Sequence, residues 1–239
     1  MPPRMFISSA LRAGWCDLPA AAARHAQVLR LRVGADLVLF DGCGGEWLSR
    51  LHSPQQVEVL EHRAIEREAP HSVFLALGMP ANERMDWLVE KATELGVAAI
   101  QPLITQRSVL RLAGERAQKR VAHWQGIAVA ACEQCGRNHL PFIAPIRTLS
   151  DWLGGGLGDL PAAAARILLS PQAEPAALLP ALTSGQAACV LSGPEGGLSA
   201  EEEALARATD FTPATLGPRV LRADTAPLAA LLQLTSGPN

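Results

Sequence analysis

Apolar and polar positions follow two different rhythms along the chain. Over residues 1–70 the apolar runs are short. Asp36, Leu37, Val38, Leu39 and Phe40 form one, residues 47–51 a second and residues 57–60 a third, each of strand length. Between the first two lie Asp41, Gly42, Cys43, Gly44 and Gly45, a hairpin signal because glycine accepts positive φ. Residues 18–29 carry helical spacing and lead into Leu29, Arg30, Leu31 and Arg32. Short strands with glycine turns predict a small β-barrel with one short helix over 1–70. Residues 62–70, charged and ending in Pro70, predict a linker.

From residue 71 strand-length runs alternate with helical spacing. Residues 73–77 read as an apolar strand. Asn82 is placed to cap a helix running to Leu95, with Met85, Leu88, Ala92 and Leu95 on one face and Gly96 at its end. Residues 97–104 form the next strand. Residues 115–135 form a long helix striped by Ala117, Val121, Trp124, Ala128 and Ala131 and closed by Gly136. Strands at 167–169, 189–191 and 211–216, and helices at 200–208 and 227–234, complete the pattern. The Gly- and Ala-rich residues 154–166 read as a loop with a short helix. This alternation predicts an α/β domain over 71–239, with a mainly parallel sheet covered on both faces.

Composition narrows the class. The chain has 239 residues, 49% of them hydrophobic and 18% charged, enough for a filled core and too apolar for a disordered chain. The net charge of −2 argues against a general polyanion binder, so local charge matters more. Arg4, Arg12, Arg24, Arg30 and Arg32 face one acid, Asp17, within residues 1–32. Arg107, Arg111, Arg116, Lys119, Arg120 and Arg137 face Glu115 and Glu133 within residues 105–137. Two basic segments in a nearly neutral chain fit a localised anionic contact; solvated surface is the plain alternative. The five cysteines are scattered and odd in number, which fits a reducing cytoplasm better than a disulfide framework. Cys132 and Cys135 lack a second ligand pair nearby, so no metal is expected. No apolar run suggests a signal peptide or a membrane span.

Ligands of open parallel sheets bind at the carboxyl ends of strands, and two such ends are unusual here. Leu191 and Ser192 lead into Gly193, Pro194, Glu195, Gly196 and Gly197, where three glycines let backbone approach a ligand closely. An ordinary tight turn is the plain reading. G-x-G-x-x-G and Gly-Lys-Ser/Thr are both absent, which disfavours dinucleotide and phosphate-loop chemistry and, with them, an oxidoreductase. The second end runs from Leu216 and Gly217 through Arg219, Val220, Leu221 and Arg222 to Asp224, Thr225 and Ala226. Asp224 or Thr225 is placed to cap the last helix, with Pro227 in its first turn. An apolar loop with two arginines beside a helix N-terminus suits a ligand with aromatic and anionic parts. A core-facing Val-Leu pair with surface arginines would look the same.

These two loops resemble the cofactor motifs of the bacterial 16S ribosomal RNA uridine N3-methyltransferase family, within the knotted SPOUT class. The likeness covers nearly the whole chain. Residues 25–34 look like that family's N-terminal PUA-like barrel. Arg84, Met85, Asp86 and Trp87, leading to residues 91–97, are similar to its first catalytic-domain helix. Arg107 and Ser108, Trp124, and Glu133, Gln134 and Arg137 match further segments. Asp224 stands where the family more often has Glu, and Cys135 where Ser is common.

The resemblance implies a PUA-like RNA-binding domain over 1–70 and an S-adenosylmethionine-binding domain over 71–239 with a deep trefoil knot. It also implies a cytoplasmic homodimer acting on 16S rRNA in the small ribosomal subunit, without DNA, membrane or metal. Leu191, Gly193, Glu195, Gly196, Gly197, Leu216, Gly217, Val220, Leu221 and Ala226 would form the cofactor pocket. Arg222, Glu133 and Asp224 are the catalytic candidates, and Glu195 is a further possible base. Arg4, Arg30, Arg32, Arg107 and Arg137 would contact RNA. A ribose 2′-O-methyltransferase of the same class, or a non-catalytic RNA-binding or assembly protein, would share much of this pattern.

Overall fold

The computed structural model describes residues 2–81, 83–155, 157–158, 160–171 and 179–236. Packing divides the chain into two units, Met1–Glu68 with Val129–Leu140, and Ala69–Ala128 with Pro141–Asn239.

In the first unit the described strands are β1 (Arg4–Phe6), β2 (Gly14–Asp17), β3 (Asp36–Phe40), β4 (Glu46–Ser53) and β5 (Gln56–Arg63), with helix α1 (Ala20–Val28) between β2 and β3. Their order is β1-β3-β4-β5-β2. β1 runs parallel to β3, and the remaining pairs are antiparallel. The β3–β4 hairpin turns where expected, with Gly42, Gly44 and Gly45 all at positive φ. Alternation sends Leu37, Leu39, Val57 and Val59 into a core shared with Met5, Ile7 and the alanines of α1. β1 and β2 were not anticipated, being only 3 and 4 residues long.

Residues 62–70, expected as a linker, contain the boundary between the two units after Glu68, but several of them also make contacts within the first unit. β5 runs to Arg63. Arg67 then donates to the Glu46 carboxylate and to the Gly136 carbonyl, both at 3.0 Å, and Glu68 pairs with Arg137 at 2.5 Å. A charged run reads as solvated unless its partners, here near residue 137, can be seen.

The second unit contains β6 (Val73–Gly78), α2 (Arg84–Glu94), β7 (Ala99–Ile104), α3 (Gly114–Cys135), β8 (Phe142–Ile143), β9 (Arg147–Thr148), α4 (Leu149–Gly154), β10 (Ala165–Leu169), β11 (Ala188–Ser192), α5 (Ala200–Ala208), β12 (Thr212–Ala214) and α6 (Thr225–Thr235). α3 is divided by the unit boundary, its residues from Val129 clustering with the first unit. The sheet order is β12-β10-β11-β6-β7-β8, with β9 beside β7, and every pairing is parallel. Leu75, Leu77, Ile100, Ile167 and Val190 face one core with α2, α3 and α6. Ala76, Leu103, Leu168, Cys189 and Leu191 face another with Trp152, Leu153, Ala206 and Phe211. The expected α/β sheet with both faces covered is therefore present. From β12 at the sheet's edge, α6 returns to pack on β6 and β11.

Two local expectations change. The short helix is α4, which reaches residues 154–166 only at Gly154, and Thr148 Oγ1 starts it by accepting from Asp151 N at 3.1 Å. Asn82 lies outside the described residues, and α2 begins at Arg84. Gly96, at φ +88°, follows α2 as expected.

Candidate active site

Parallel pairing puts the carboxyl ends of β10, β11 and β12 along one edge of the sheet. The segments leaving them enclose a cavity of about 470 Å³, within the ~300–1,000 Å³ typical of small-molecule sites. Leu169, Ser170 and Pro171 line it from β10, Ser192 to Gly197 from β11, and Thr215 onward from β12.

The glycine loop after β11 has the shape its composition demands. A β-carbon on Gly193 would lie 2.8 Å from the Gly197 carbonyl carbon and from Leu198 N, so only glycine fits. Gly197, at φ +70°, donates its N–H to the Pro194 carbonyl at 2.8 Å. The loop then enters α5 through a capping box: Ser199 Oγ accepts from Glu202 N at 3.2 Å, and Glu202 Oε2 accepts from Ser199 N at 2.9 Å. The first turn of α5 also ties neighbouring strand ends to the loop. Glu202 Oε1 accepts from Gln106 N at 2.7 Å beyond β7, and Glu203 Oε1 accepts from Ser170 Oγ at 3.0 Å beyond β10.

Glu195 is not a free carboxylate. Its Oε1 accepts from Ala81 N at 3.0 Å and from Arg84 Nη1 at 3.2 Å. The loop after β12 supplies the apolar wall and the cations. Leu216 packs against the core, Leu221 is half-buried, and Val220 is 83% exposed. Arg219 and Arg222 are exposed at the rim. The Arg222 carbonyl accepts from Thr225 N and Ala226 N, which places this arginine at the start of α6. Asp224 holds the position before α6, but its carboxylate makes no capping bond and only accepts from Thr225 Oγ1 at 3.3 Å.

Of the expected pocket and catalytic residues, Gly193, Glu195, Gly196, Gly197, Leu216, Val220, Leu221, Arg222 and Ala226 line the cavity. Leu191, Gly217 and Asp224 do not. Leu191 is fully buried within β11. Gly217, at φ +102°, forms the turn after β12. Sequence reasoning missed Leu169, Ser170, Pro171, Arg84 and Thr215, whereas Arg219 was expected as one of the two arginines of the loop after β12. The rule that located the other two loops also covers the end of β10, so Ser170 and Pro171 were within its reach. Arg84 had no local signal, since its partner Glu195 is 111 residues away.

The remaining candidates lie elsewhere. Glu133 belongs to the first unit, where its carboxylate accepts from Phe6 N at 3.0 Å and sits 3.3 Å from His25 Nδ1. Arg4 and Arg137 are only 6% and 5% exposed. Arg4 pairs with Glu46, donates to Asn138 Oδ1 at 2.6 Å and lies over the Phe40 ring. Both are internal staples instead of the expected surface contacts. Arg30 and Arg32 are exposed. Arg107 is exposed but donates to the Gly196 carbonyl at 2.7 Å. Burial pushes the Cys132 and Cys189 thiols up to about 12, which makes both poor nucleophiles. Among the described residues, no group of three or more His, Cys, Asp or Glu could hold a metal ion, and no helix is long and apolar enough to cross a membrane.

Comparison with known proteins agrees with this architecture. The RNA methyltransferase domain family matches residues 67–235, and the RNA methyltransferase PUA domain family matches residues 18–60. Ribosomal RNA small subunit methyltransferase E of Synechocystis is 33% identical over 214 residues, 88% of this chain and 69% of the relative. The protein of that name from Bacillus subtilis is 32% identical, over 85% of this chain and 82% of the relative. The crystal structure of ribosomal RNA small subunit methyltransferase E from Neisseria gonorrhoeae, bound to S-adenosyl methionine, superposes with a TM-score of 0.88 at 35% identity, covering 98% of this chain and 96% of that one. The chain belongs to the ribosomal RNA small subunit methyltransferase E family.

Proposed function

We propose that this chain uses S-adenosylmethionine to methylate N3 of a uridine in the 16S rRNA of the small ribosomal subunit, acting in the cytoplasm as a homodimer. The observation that carries the reading is the cavity at the ends of β10, β11 and β12, where the glycine loop faces an apolar wall and three arginines, Arg84, Arg219 and Arg222. Residues 71–239 form the proposed catalytic domain, and a trefoil knot in its C-terminal part belongs to the same proposal. Residues 1–70 form the proposed RNA-binding domain.

The cavity suits the cofactor on chemical grounds. Gly193, whose β-carbon would collide with the Gly197 and Leu198 backbone, lets the loop fold tightly on itself along the cavity wall. Leu216, Val220, Leu221 and Ala226 offer apolar surface for an adenine ring. When bound, S-adenosylmethionine supplies an electrophilic methyl group on a sulfonium. The protein's part is largely positioning, which can recover about 7–11 kcal/mol of barrier. Uridine N3 carries a weakly acidic proton, and its removal leaves negative charge on the base. Arg222, exposed at the rim, is placed to stabilise that charge or to hold the target phosphate. Asp224, two residues further on, is half-buried and outside the cavity lining, and it is the carboxylate we favour as acceptor of a proton from a base held at the rim. Glu195 is already committed to Arg84 and Ala81, and Glu133 to Phe6. Arg30 and Arg32 would contact RNA backbone, giving salt-dependent binding.

The test is methyl transfer from labelled S-adenosylmethionine to small subunits lacking the modification, followed by nucleoside mass spectrometry. N3-methyluridine is the expected product. A 2′-O-methyl product would keep the cofactor and reassign the chemistry. No transfer by folded protein would overturn the enzymatic reading in favour of an RNA-binding role.

A further inference from the structure

Arg107 lies in the second basic segment, where an RNA phosphate is the obvious partner. Its side chain does something else. Nη1 donates to the Gly196 carbonyl at 2.7 Å. The aliphatic stem runs so close to that glycine that a β-carbon on Gly196 would lie 3.2 Å from Arg107 Cβ and 3.3 Å from Cδ. Gly196 and Gly197 share a peptide plane, and the Gly197 N–H at its other end donates to the Pro194 carbonyl at 2.8 Å. The plane is therefore held at both ends, once within the loop and once by Arg107.

Arg107 is itself held. Ser108 Oγ accepts from Thr105 N at 3.0 Å, and Ser108 N donates to the Thr105 carbonyl at 3.2 Å, closing a tight turn after β7. Gln106 N, the neighbouring donor, is fixed by Glu202 of α5 at 2.7 Å. A loop with three glycines in five residues has more backbone freedom to lose on ordering than one built from other residues. An external clamp that removes that freedom beforehand favours ligand binding through preorganisation.

We propose that Arg107 is a positioning residue that clamps the glycine loop of the cofactor cavity, and not a contact to RNA backbone. The proposal rests on the reading of this cavity as the S-adenosylmethionine site. Removing the clamp leaves the cavity lining intact but lets the Gly196–Gly197 peptide rotate. The loss should fall on cofactor affinity, not on the methyl-transfer step.

The test uses the full chain and S-adenosylhomocysteine as probe in calorimetric titration, with RNA binding to unmodified small subunits measured over a salt series. Arg107→Ala should bind the probe about tenfold more weakly. Its KM for S-adenosylmethionine should rise with little change in kcat, and its thermal midpoint and salt slope for RNA should match the wild type. Arg107→Lys, which retains a donor of similar reach, should recover most of the affinity. Unchanged probe affinity in Arg107→Ala, or a salt slope reduced by about one ion, would overturn the clamp and return Arg107 to the RNA surface. If Arg107→Ala is less stable, Arg107→Lys decides: wild-type stability with Ala-like probe affinity would overturn the hydrogen-bond clamp. Wild-type protein that does not bind the probe would instead overturn the cofactor reading itself.

Discussion

Pro194 packs against Gly78 so closely that a β-carbon at position 78 would lie 2.5 Å from Pro194 Cδ and 2.8 Å from its backbone nitrogen. The last residue of β6 and the glycine loop after β11 thus touch backbone to backbone, so one of them must shift to admit a methyl group. Gly78→Ala should cost about 1–3 kcal/mol through overpacking and weaken S-adenosylhomocysteine binding by displacing the loop. Gly126 in α3 has open space at its β-carbon, so Gly126→Ala should stabilise by up to about 1 kcal/mol through helix propensity. Urea unfolding of the two variants checks the opposite signs; a neutral Gly78→Ala would show that the loop moves freely.

Arg222 and Arg219 both stand at the cavity rim, but only Arg222 lies at the start of α6. If it meets charge that develops during transfer, Arg222→Ala should lower kcat about 100-fold while S-adenosylhomocysteine affinity stays within about twofold. Steady-state kinetics with a binding titration separates the two. Unchanged turnover would take Arg222 out of the site.

Periodicity made the α/β unit legible because parallel strands buried on both faces leave continuous apolar runs such as residues 73–77 and 188–191. The two site loops were legible because glycine, proline and arginine cluster there without a structural need visible in the sequence. What stayed hidden depends on distant partners. Arg4 and Arg137 look like surface cations until Glu46 and Glu68 are seen beside them. Glu195 looks like a base until Arg84 is found on it. β1 and β2 are too short to show a period of two.

Arg30 ends α1 in a conformation that suits glycine. At φ 53° it donates to the Gln27 carbonyl at 2.9 Å, while Leu31 donates to the Ala26 carbonyl at 3.0 Å. This is the two-bond Schellman closure, with arginine at the left-handed position. Holding a β-carbon there costs about 1 kcal/mol, and the exposed side chain recovers none of it through burial. Arg30→Gly should therefore raise stability by about 0.5–1 kcal/mol, while the salt slope for small-subunit binding falls by about one. A rise in stability with an unaltered slope would leave Arg30 without a role in RNA contact.

Glu46 lies between Arg4 and Arg67 with its side chain 7% exposed. Burial alone would raise its carboxyl, but hydrogen bonds from Arg67 and Arg4 outweigh burial and hold the pKa below its ordinary 4.5. A carboxyl lowered in the folded state adds stability that is complete above its unfolded pKa and disappears as pH falls through the folded one. Unfolding free energy should therefore drop as pH falls below about 4.5. Glu46→Gln removes the charge and leaves Arg4 buried without its counter-ion, at a cost of about 3–5 kcal/mol near neutral pH. The same substitution should flatten the acid limb, because one fewer carboxylate is then protonated on unfolding. Urea titrations followed by tryptophan fluorescence, from near-neutral to acid pH, read both effects. Equal acid slopes in the two proteins would show that the Arg4, Glu46 and Arg67 cluster does not govern acid unfolding.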